Sequence, residues 1–477
     1  METIDTPSQT ILERFNEWIQ ESIMVKLFSI GFLILILLIP TAWIDDLIYE
    51  RQQRADEVIQ EVADKWSASQ KISGPILVIP FLKEDIINHS NDGKEVRHKL
   101  EKAFFLPENL DITGEVSPET LHRGIFDAVV YQSSLKINAT FAKPDVTFIP
   151  TSEANILWKD AYMIFGISDL RGISDNPAFV SGDTALTAEP SNNIGVRTRN
   201  EQLETFSQPY NDAPASSTLS SNGIITKLNW AGPESFQGRL NVKLNLKGSR
   251  RLDFVPTGKT TTVNLSGNWP DPSFDGEFLP VKREITESSF AATWKVLHFN
   301  RPFSQHWTES NQALSGADFG LKLLVPVDQY QKSIRTSKYG VLIILLTFMA
   351  LFLVEITQKI RIHPFQYILI GAALIIYYTL LLSFSEHVGY NIAYIIASVA
   401  TVILISLYST TFFPSNKLAI LFSILLAVFY AFIYVIILQQ DFSLLLGSVG
   451  LFLIIGTLMY FSRKVKWYKD DRLKQSV

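Results

Sequence analysis

The chain has 477 residues, of which 19% are charged and 47% hydrophobic, and its formal net charge is −5. This length allows two or three soluble domains, but the apolar residues are concentrated near the start and in the last third. The negative charge argues against broad nucleic-acid binding, which needs clustered Lys and Arg. The sequence has no cysteine, and this excludes disulfides, iron–sulfur clusters and thiolate zinc sites.

The start of the chain has the pattern of a membrane anchor between two helical flanks. Residues 1–25 begin a helix at Thr6, where Gln9 completes a capping box, and they predict a cytoplasmic amphipathic segment. Residues 26–44 are long and apolar enough to form a first membrane span. An acidic flank and the lack of a small-x-small cleavage site favour a retained anchor over a cleaved signal peptide. Residues 45–69 keep helical spacing and predict a stalk that extends the first helix.

After the stalk, the sequence changes to short β-rich runs separated by Pro, Gly, Asn and Asp. Runs such as ISGPILVIPFL and RLNVKLNLKGSRRLDFVP either alternate apolar and polar residues or form short apolar stretches. They predict an antiparallel β-sandwich or a pair of sheets within residues 45–338. Residues 204–223 are the best candidate for a mobile surface loop, because they are rich in Ser, Pro, Asn and Asp.

Five further segments in the last third are long and uncharged enough to cross a bilayer as helices. They are residues 339–357, 365–385, 389–410, 418–438 and 442–461. Nine Lys and Arg lie in the loops after the second and fourth helices and in the basic tail 462–477, whereas the alternating loops have none. The positive-inside rule therefore predicts that both termini are cytoplasmic and that residues 45–338 lie outside.

Polar residues mark the two ends of the third span. His363 lies at one end and Glu386 with His387 at the other, about 36 Å away at 1.5 Å per residue, so they cannot share one site. The plain interpretation is that these residues terminate the span at its two interfaces. A pH-sensitive contact of Glu386 and His387 with the external domain is the functional alternative. Near membrane depth the ionisable candidate is Glu355, with Lys359 one turn further on.

Two patterns within the spans concern helix packing. Small residues recur every fourth position along the fourth span, and this pattern predicts close helix packing, with a homo-oligomer contact as the alternative. Four tyrosines are polar enough to line a cavity, although packing within the bundle is the simpler explanation. The small residues are Gly389, Ala393, Ala397 and Thr401, and the tyrosines are Tyr377, Tyr378, Tyr430 and Tyr434.

The motifs that suggest catalysis are weak. Gly258-Lys259-Thr260 lacks the preceding glycine of a phosphate-binding loop, since Asp253 occupies that position. Ser133 and Lys136 have S-x-x-K spacing, but the run reads as a strand and would point them to opposite faces. The external histidines do not have the spacing of a compact metal motif. We therefore expect neither a metal nor another cofactor, and no catalytic residue is nominated.

Six blocks of the sequence are similar to the CreD family of inner membrane proteins, which are described as bacterial cell envelope integrity proteins. The blocks are SGPILVIPF, HRGIFDAVVYQSSL, ISDLRGI, LDFVPTGKTTTVNLSGNWPDPSFDGEFLP, LVPVDQYQKSIRTSKYGVLII and HPFQYILIGAALIIYYTLLLSFSEHVGYNIAYIIAS, and they cover about residues 70 to 410. The resemblance implies a bacterial plasma membrane protein with an N-terminal anchor, a large periplasmic region and five further helices, expressed under envelope or nutrient stress. It supplies no catalytic residue.

The expected fold is thus a polytopic α-helical membrane protein with six transmembrane helices. A large β-rich, sandwich-like periplasmic domain is inserted between the first two helices. Within the family blocks, the candidate binding residues are Asp169, Arg171, Trp269, Phe274, Glu386 and His387, and a cytoplasmic loop motif comprises His363, Gln366 and Tyr367.

Three functions are compatible with this sequence. The leading hypothesis is a non-enzymatic protein that supports envelope integrity in the stress response, by binding or scaffolding an envelope protein or lipid through its external domain. The alternative is a transporter or flippase for a lipid or small solute, with its path among helices two to six. The third is an enzyme acting on a periplasmic glycan or lipid near Glu386 and His387. The partners expected are the lipid bilayer, an unidentified envelope component and a second copy of the chain.

Overall fold

The computed structural model describes residues 23–88, 94–200, 218–220, 222–308, 312–323, 329–439 and 442–463. The predicted amphipathic start, the predicted loop 204–223 and the basic tail therefore lie largely outside the described residues. The chain divides into two compact units. One unit is helical and comprises Met1–Gln53 with Val327–Val477; the other is β-rich and comprises Arg54–Pro326.

Seven helices are described, and six of them occupy the segments expected to cross the membrane. They are α1 (Ile23–Trp66), α2 (Gln329–Lys338), α3 (Gly340–Gln358), α4 (Pro364–Val388), α5 (Tyr390–Ser409), α6 (Asn416–Leu438) and α7 (Ser443–Ser462). The first helix continues through Pro40 and past the predicted span into the predicted stalk. The extra short helix α2 directly precedes α3, in residues that the sequence assigned to the external region.

Five helices among the described residues are long and apolar enough to cross a membrane. They are Met24–Trp66, Gln329–Gln358, Pro364–Val388, Tyr390–Ser409 and Asn416–Leu438. In α7, the stretch that qualifies as apolar is the shorter Leu445–Thr457. The described residues thus contain several helices that could cross a membrane, and the count of six spans stays a prediction.

The β-rich unit contains twenty strands among its described residues. They are β1 (Gln70–Asn88), β2 (Lys94–Phe105), β3 (Asn109–Arg123), β4 (Phe126–Thr140), β5 (Tyr162–Ile167), β6 (Ala178–Ser181), β7 (Thr184–Leu186), β8 (Ala188–Ser191), β9 (Val196–Asn200), β10 (Thr218–Ser220), β11 (Gly223–Lys227), β12 (Arg239–Ser249), β13 (Arg251–Val255), β14 (Thr260–Gly267), β15 (Pro272–Gly276), β16 (Lys282–Ile285), β17 (Phe290–Leu297), β18 (His306–Trp307), β19 (Gln312–Ala313) and β20 (Phe319–Leu323).

These strands form two large sheets and one small sheet. The first large sheet has the order β15-β20-β13-β1-β5-β11-β8, with β2 beside β1 and β18 beside β2. The second has the order β16-β17-β14-β3-β4-β12-β6-β7, and the small sheet has the order β10-β9-β19. Both large sheets are mixed, because β1 pairs with β13 and β3 with β14 in parallel. Among the described strands of the two large sheets, the prediction of an antiparallel β-sandwich or a pair of sheets therefore fails only for these two strand pairs, because strands more than 100 residues apart are joined by long crossovers, which allow parallel pairing.

One hydrophobic core lies between the two large sheets. It includes Leu77 and Phe81 from β1 and Leu110, Leu135 and Trp294 from the second sheet, all fully buried. In β3 and β12 buried and exposed residues alternate, as they do in strands with one face toward a core. This arrangement is a β-sandwich in which the predicted alternation is realised.

The central strand β1 is buried on both faces. Leu77 and Phe81 face the shared core, whereas Ile76 and Val78, the two neighbours of Leu77, belong to a second cluster with Phe104, Val255 and further residues on the other side of the first sheet. A strand with two covered faces needs apolar residues at consecutive positions, and this explains the continuous run ILVIPFL.

Candidate functional site

Asp169 caps a 3-10 turn at the junction between α1 and the β-sandwich. Its side chain accepts a hydrogen bond from the backbone N–H of Arg171 at 3.0 Å, as the N-cap of the turn Leu170–Gly172. The same carboxylate accepts hydrogen bonds from the Ala68 N–H at 2.9 Å and from the Ser67 hydroxyl at 3.2 Å. Because Ser67 and Ala68 directly follow α1, the carboxylate fixes the chain where this helix ends and β1 begins.

Arg171 completes the same contact from the surface. Its guanidinium donates to Asp169 at 2.9 Å through Nε and through Nη2, and its Nη1 donates to the Asp64 carbonyl oxygen in the last turns of α1 at 2.7 Å. Burial alone would raise the pKa of Asp169, but the hydrogen bonds from Arg171 and Ala68 outweigh it and lower that pKa. We call the group formed by Asp64, Ser67, Ala68, Asp169 and Arg171 the stalk clasp.

The 3-10 turn Leu170–Gly172 ends in glycine because position 172 has no room for a side chain. A Cβ atom there would lie 2.3 Å from the Lys247 carbonyl oxygen and 2.2 Å from the Gln70 side-chain nitrogen. That Gln70 nitrogen donates to the carbonyl oxygens of Asp169 and Lys247 at 2.9 and 3.1 Å. Both oxygens of the Asp169 carboxylate accept hydrogen bonds from groups of the same chain. The geometry assigns Asp169 and Arg171 to holding the stalk, and their use in ligand binding stays a prediction.

Trp269 and Phe274 lie at the rim of the sandwich core. Both are half-buried and pack against the shared core. The Phe274 ring makes edge contacts with Trp294 and Phe290, at centroid distances of 5.5 and 6.3 Å. These contacts explain the aromatic residues by packing, and they leave only part of each ring available to a ligand.

The predicted loop motif of His363, Gln366 and Tyr367 builds the start of α4. His363 is the N-cap: its Nδ1 accepts a hydrogen bond from the Phe365 N–H, and the Gln366 side chain accepts one from the His363 N–H. These two bonds form a capping box, followed by Pro364 at the first helical position. His363 and Gln366 therefore set the beginning of this helix.

Tyr367 belongs to a buried polar group around Glu355. The Tyr367 hydroxyl donates to the Glu355 carboxylate at 3.0 Å, and Lys26 of α1 forms an ion pair with it at 2.7 Å. The Ile362 N–H donates to the same carboxylate at 3.4 Å. The Glu355 side chain is only 3% exposed, and its ion pair with Lys26 compensates the negative charge at this buried position. The sequence indicated Glu355 and Tyr367 separately, but Lys26, which is 329 residues from Glu355, carried no signal that could connect them.

Glu386 and His387 occupy the last turn of α4. The half-buried Glu386 accepts a hydrogen bond from the Tyr330 hydroxyl of α2 at 3.2 Å, and His387 is exposed. The contact with α2 was not foreseen, because α2 itself was not predicted. The proposed ligand-binding role of this pair stays a prediction.

The remaining sequence candidates occupy ordinary structural positions. Ser133 is buried and Lys136 exposed on β4, so the two side chains point to opposite faces as expected. Ala393 and Ala397 are fully buried within the one chain, so packing inside the bundle accounts for these small residues, and the homo-oligomer contact through this face stays a prediction. Within the described ranges, no group of three or more His, Asp or Glu side chains is placed to hold a metal ion.

Comparison with known proteins places these features in a family. The family model of inner membrane protein CreD matches residues 22–468, which is nearly the whole chain. The inner membrane protein CreD of Escherichia coli (strain K12) is 32% identical over 447 residues, a span that covers 93% of each chain. Together with the apolar helices and the β-rich unit, these matches show that the chain belongs to the CreD family of inner membrane proteins.

Proposed function

We propose that this protein supports the integrity of the cell envelope by binding an envelope protein or lipid through its β-rich unit. In this proposal both termini are cytoplasmic and residues 54–326 are periplasmic. The distribution of Lys and Arg among the short loops supports this orientation. The β-rich unit has its own hydrophobic core, and the stalk clasp fixes the sandwich to the end of α1. A partner bound to this unit would therefore be connected to the membrane through α1.

The observation that carries the proposal is an apolar edge on the second large sheet. Seven large apolar side chains are exposed in the described part of the β-rich unit, and five of them fall within residues 279–299. These five, which we call the apolar edge, are Leu279, Val281, Ile285, Leu297 and Phe299, and their exposed fractions run from 42% for Leu297 to 86% for Phe299. Leu279 and Val281 precede β16, and Leu297 and Phe299 lie at the matching end of β17, whereas Ile285 pairs with Phe290 at the other end. Exposed apolar side chains concentrated on one pair of strands are typical of interaction surfaces.

The backbone at this edge supports the same role. The strand β16 ends the second sheet, pairing with β17 on one side only within the described strand order. Its four residues are all exposed. An unpaired sheet edge beside apolar side chains offers backbone hydrogen bonds to an extended segment of a partner. A protein partner therefore has two means of binding here, and a lipid has only the apolar side chains.

Photocrosslinking in cells tests the proposal. A photoreactive residue would be placed in turn at Leu279, Val281 and Phe299, with the exposed Lys136 and Lys243 on the same sheet as matched controls. We expect the three edge positions to capture one common envelope protein or lipid that the controls do not capture. The same products at control and edge positions would contradict a specific surface.

A complementation experiment tests the consequence for the cell. A variant with Leu279→Ser, Val281→Ser and Phe299→Ser should fail to restore detergent resistance to a deletion strain, although it is made at the normal level. The corresponding control carries Lys136→Ser and Lys243→Ser. If the edge variant restores resistance as well as the unmodified protein does, the apolar edge has no part in the function.

The proposed orientation can be tested independently, because the chain has no cysteine of its own. A single cysteine at Lys136 should react with a membrane-impermeant thiol reagent in intact cells permeabilised only at the outer membrane. A cysteine at Arg361, in the loop after α3, should react only after the inner membrane is opened. The reverse pattern would place the β-rich unit in the cytoplasm.

A further inference from the structure

Six tyrosines from three helices meet inside the helical unit. Tyr377 of α4 lies at the centre, with ring centroids 4.9 Å from Tyr378, 5.9 Å from Tyr394 and 4.7 Å from Tyr430. Tyr394 in turn contacts Tyr390 at 5.9 Å and Tyr434 at 4.9 Å. We call these six residues the tyrosine core. Tyr377 is 13 residues into α4, about 20 Å along the helix, so it is far from the interfacial belts where tyrosine is common.

Two hydroxyls of the tyrosine core are satisfied. The Tyr394 hydroxyl donates to the Tyr430 carbonyl oxygen at 2.8 Å, and the hydroxyls of Tyr390 and Thr336 form a hydrogen bond at 2.6 Å. In these two tyrosines the hydroxyl group makes a hydrogen bond that a phenylalanine could not make. Their hydroxyls connect α5 to α6 and to α2.

The hydroxyls of three other tyrosines in the core, Tyr377, Tyr378 and Tyr430, make no such hydrogen bond to the described part of the chain. Within the described residues, the buried hydroxyl oxygens of Tyr378 and Tyr430 have no hydrogen-bond partner. The hydroxyls of Tyr377, Ser398 and Tyr394 lie close enough to interact, but those of Tyr377 and Ser398 do not complete a hydrogen bond with any described group. A buried polar group without a partner costs about 1–3 kcal/mol. Phenylalanine would fill the same space without this cost, so packing alone does not explain tyrosine at these positions.

The packing around these hydroxyls is closed. Tyr377, Tyr378 and Tyr430 are at most 3% exposed, and their hydroxyl oxygens are sealed from solvent. A Cβ atom at Gly340 of α3 would lie 3.2 Å from both the ring and the hydroxyl of Tyr378, so α3 is in close contact there. A molecule that forms hydrogen bonds with these hydroxyls can therefore reach them only if the helices separate.

We propose that the tyrosine core is the closed state of a site that opens to admit an uncharged polar molecule, at minimum water, between α4, α5 and α6. The ligand is uncharged because the six tyrosines of the core and Ser398 offer only uncharged hydroxyl groups. The charged side chains of Asp45 and Arg335, which act on Tyr378 and Tyr390, are not part of the core. The hydroxyls gain partners in the open state, which offsets the loss of ring contacts. This site is independent of the apolar edge, so either proposal can fail without the other.

A cysteine at position 398 tests whether the site opens. Because the natural chain has no cysteine, Ser398→Cys would carry the only thiol. The matched control is Ser423→Cys in α6, since the half-buried Ser423 hydroxyl already donates to the Ala419 carbonyl oxygen at 2.7 Å. Each variant would be treated in native membranes with N-ethylmaleimide, a small uncharged reagent. It reacts with the thiolate form of cysteine, which forms only where water reaches the thiol.

We expect the thiol at position 398 to react at least tenfold faster than the thiol at position 423, and both to react fully once the protein is unfolded in detergent. If the thiol at 398 reacts no faster than the control in membranes, the site does not open and the proposal is overturned. Since a small opening admits only small reagents, a bulky maleimide should not show the same difference.

Tyrosine-to-phenylalanine variants test the same inference without a new thiol. Tyr378→Phe and Tyr430→Phe should leave the apparent Tm in detergent unchanged or raise it, because each removes an unsatisfied hydroxyl. Tyr394→Phe should lower the apparent Tm, because its hydroxyl has a partner. In the Ser398→Cys background, the first two variants should slow labelling about tenfold by disfavouring the open state. If Tyr378→Phe lowers Tm as much as Tyr394→Phe does, the hydroxyl is satisfied in the closed state and the argument fails.

Discussion

Substitution of Asp169 by alanine should destabilise the β-rich unit far more than substitution of its ion-pair partner Arg171. In Asp169→Ala, the Ala68 N–H, the Arg171 N–H and the buried Ser67 hydroxyl all lose a charged acceptor. Hydrogen bonds to charged groups contribute about 1.5–3 kcal/mol each. Ser67 keeps a hydrogen bond from the Gln70 side chain, which limits the loss. The expected cost is about 3–5 kcal/mol.

Arg171→Ala leaves the central part of the clasp in place. The Arg171 side chain is 60% exposed, whereas that of Asp169 is 11% exposed. In the arginine variant, the carboxylate keeps its bonds to Ala68, Ser67 and the backbone of residue 171. Exposed ion pairs contribute only about 0.2–1 kcal/mol, so the loss of the guanidinium should cost no more than about 1 kcal/mol. The two substitutions should therefore differ by about 2 kcal/mol or more, although they break the same ion pair.

Chemical unfolding of the purified full-length protein in detergent micelles measures this difference. Tryptophan fluorescence is a suitable probe, because six of the nine tryptophans lie within Arg54–Pro326. Equal free-energy losses for Asp169→Ala and Arg171→Ala would refute the reasoning. Such a result would mean that the ion pair, rather than the buried backbone donors, carries the energy of the clasp.

The clasp also predicts how stability depends on pH. The hydrogen bonds from Arg171 and Ala68 outweigh burial and lower the pKa of Asp169 in the folded protein. Its contribution is therefore complete above the ordinary aspartate pKa of about 3.9 and is lost as the pH falls through the folded-state value. The free-energy difference between the natural protein and Asp169→Asn should be constant from pH 8 to pH 5 and shrink below pH 4. A difference that shrinks already between pH 7 and pH 5 would contradict this assignment.

Three further substitutions test other parts of the molecule by the same unfolding measurement. Lys26→Met should lower the free energy of unfolding by about 3 kcal/mol, because it leaves the Glu355 carboxylate buried without its counter-charge. This cost should largely disappear when Glu355→Gln is also present. An unchanged cost in the double variant would disprove the coupling. Gly172→Ala should cost about 1–3 kcal/mol, because its Cβ would meet the Lys247 carbonyl oxygen, and a neutral effect would mean that the turn can shift freely. Trp294→Ala should cost about 3–5 kcal/mol, because its fully buried ring lies in the shared core and donates to the Phe278 carbonyl oxygen; a loss below 1 kcal/mol would place it outside the core.

The sequence by itself determined the local features of this protein. Uncharged runs of about 20 residues identify helices in a membrane, because each span satisfies its own backbone hydrogen bonds. Alternation with a period of two identifies strands, as in β3 and β12, where the buried face follows directly from residue type. The capping box at His363 was not predicted, although its bonds join residues at most three positions apart and the spacing of His363 and Gln366 could have indicated it.

Only the tertiary structure decided which distant residues meet. Asp169 and Arg171 were indicated by the sequence as a possible binding pair, but the carboxylate holds Ser67 and Ala68, which are about 100 residues earlier. Lys26 reaches Glu355 across 329 positions, and the parallel pairing of β1 with β13 joins residues about 180 positions apart. The distinction between satisfied and unsatisfied hydroxyls in the tyrosine core is likewise invisible in the sequence, where all six residues are tyrosine. Contacts of this kind depend on how packed elements present particular atoms to each other, and residue type and spacing along the chain do not encode that geometry locally.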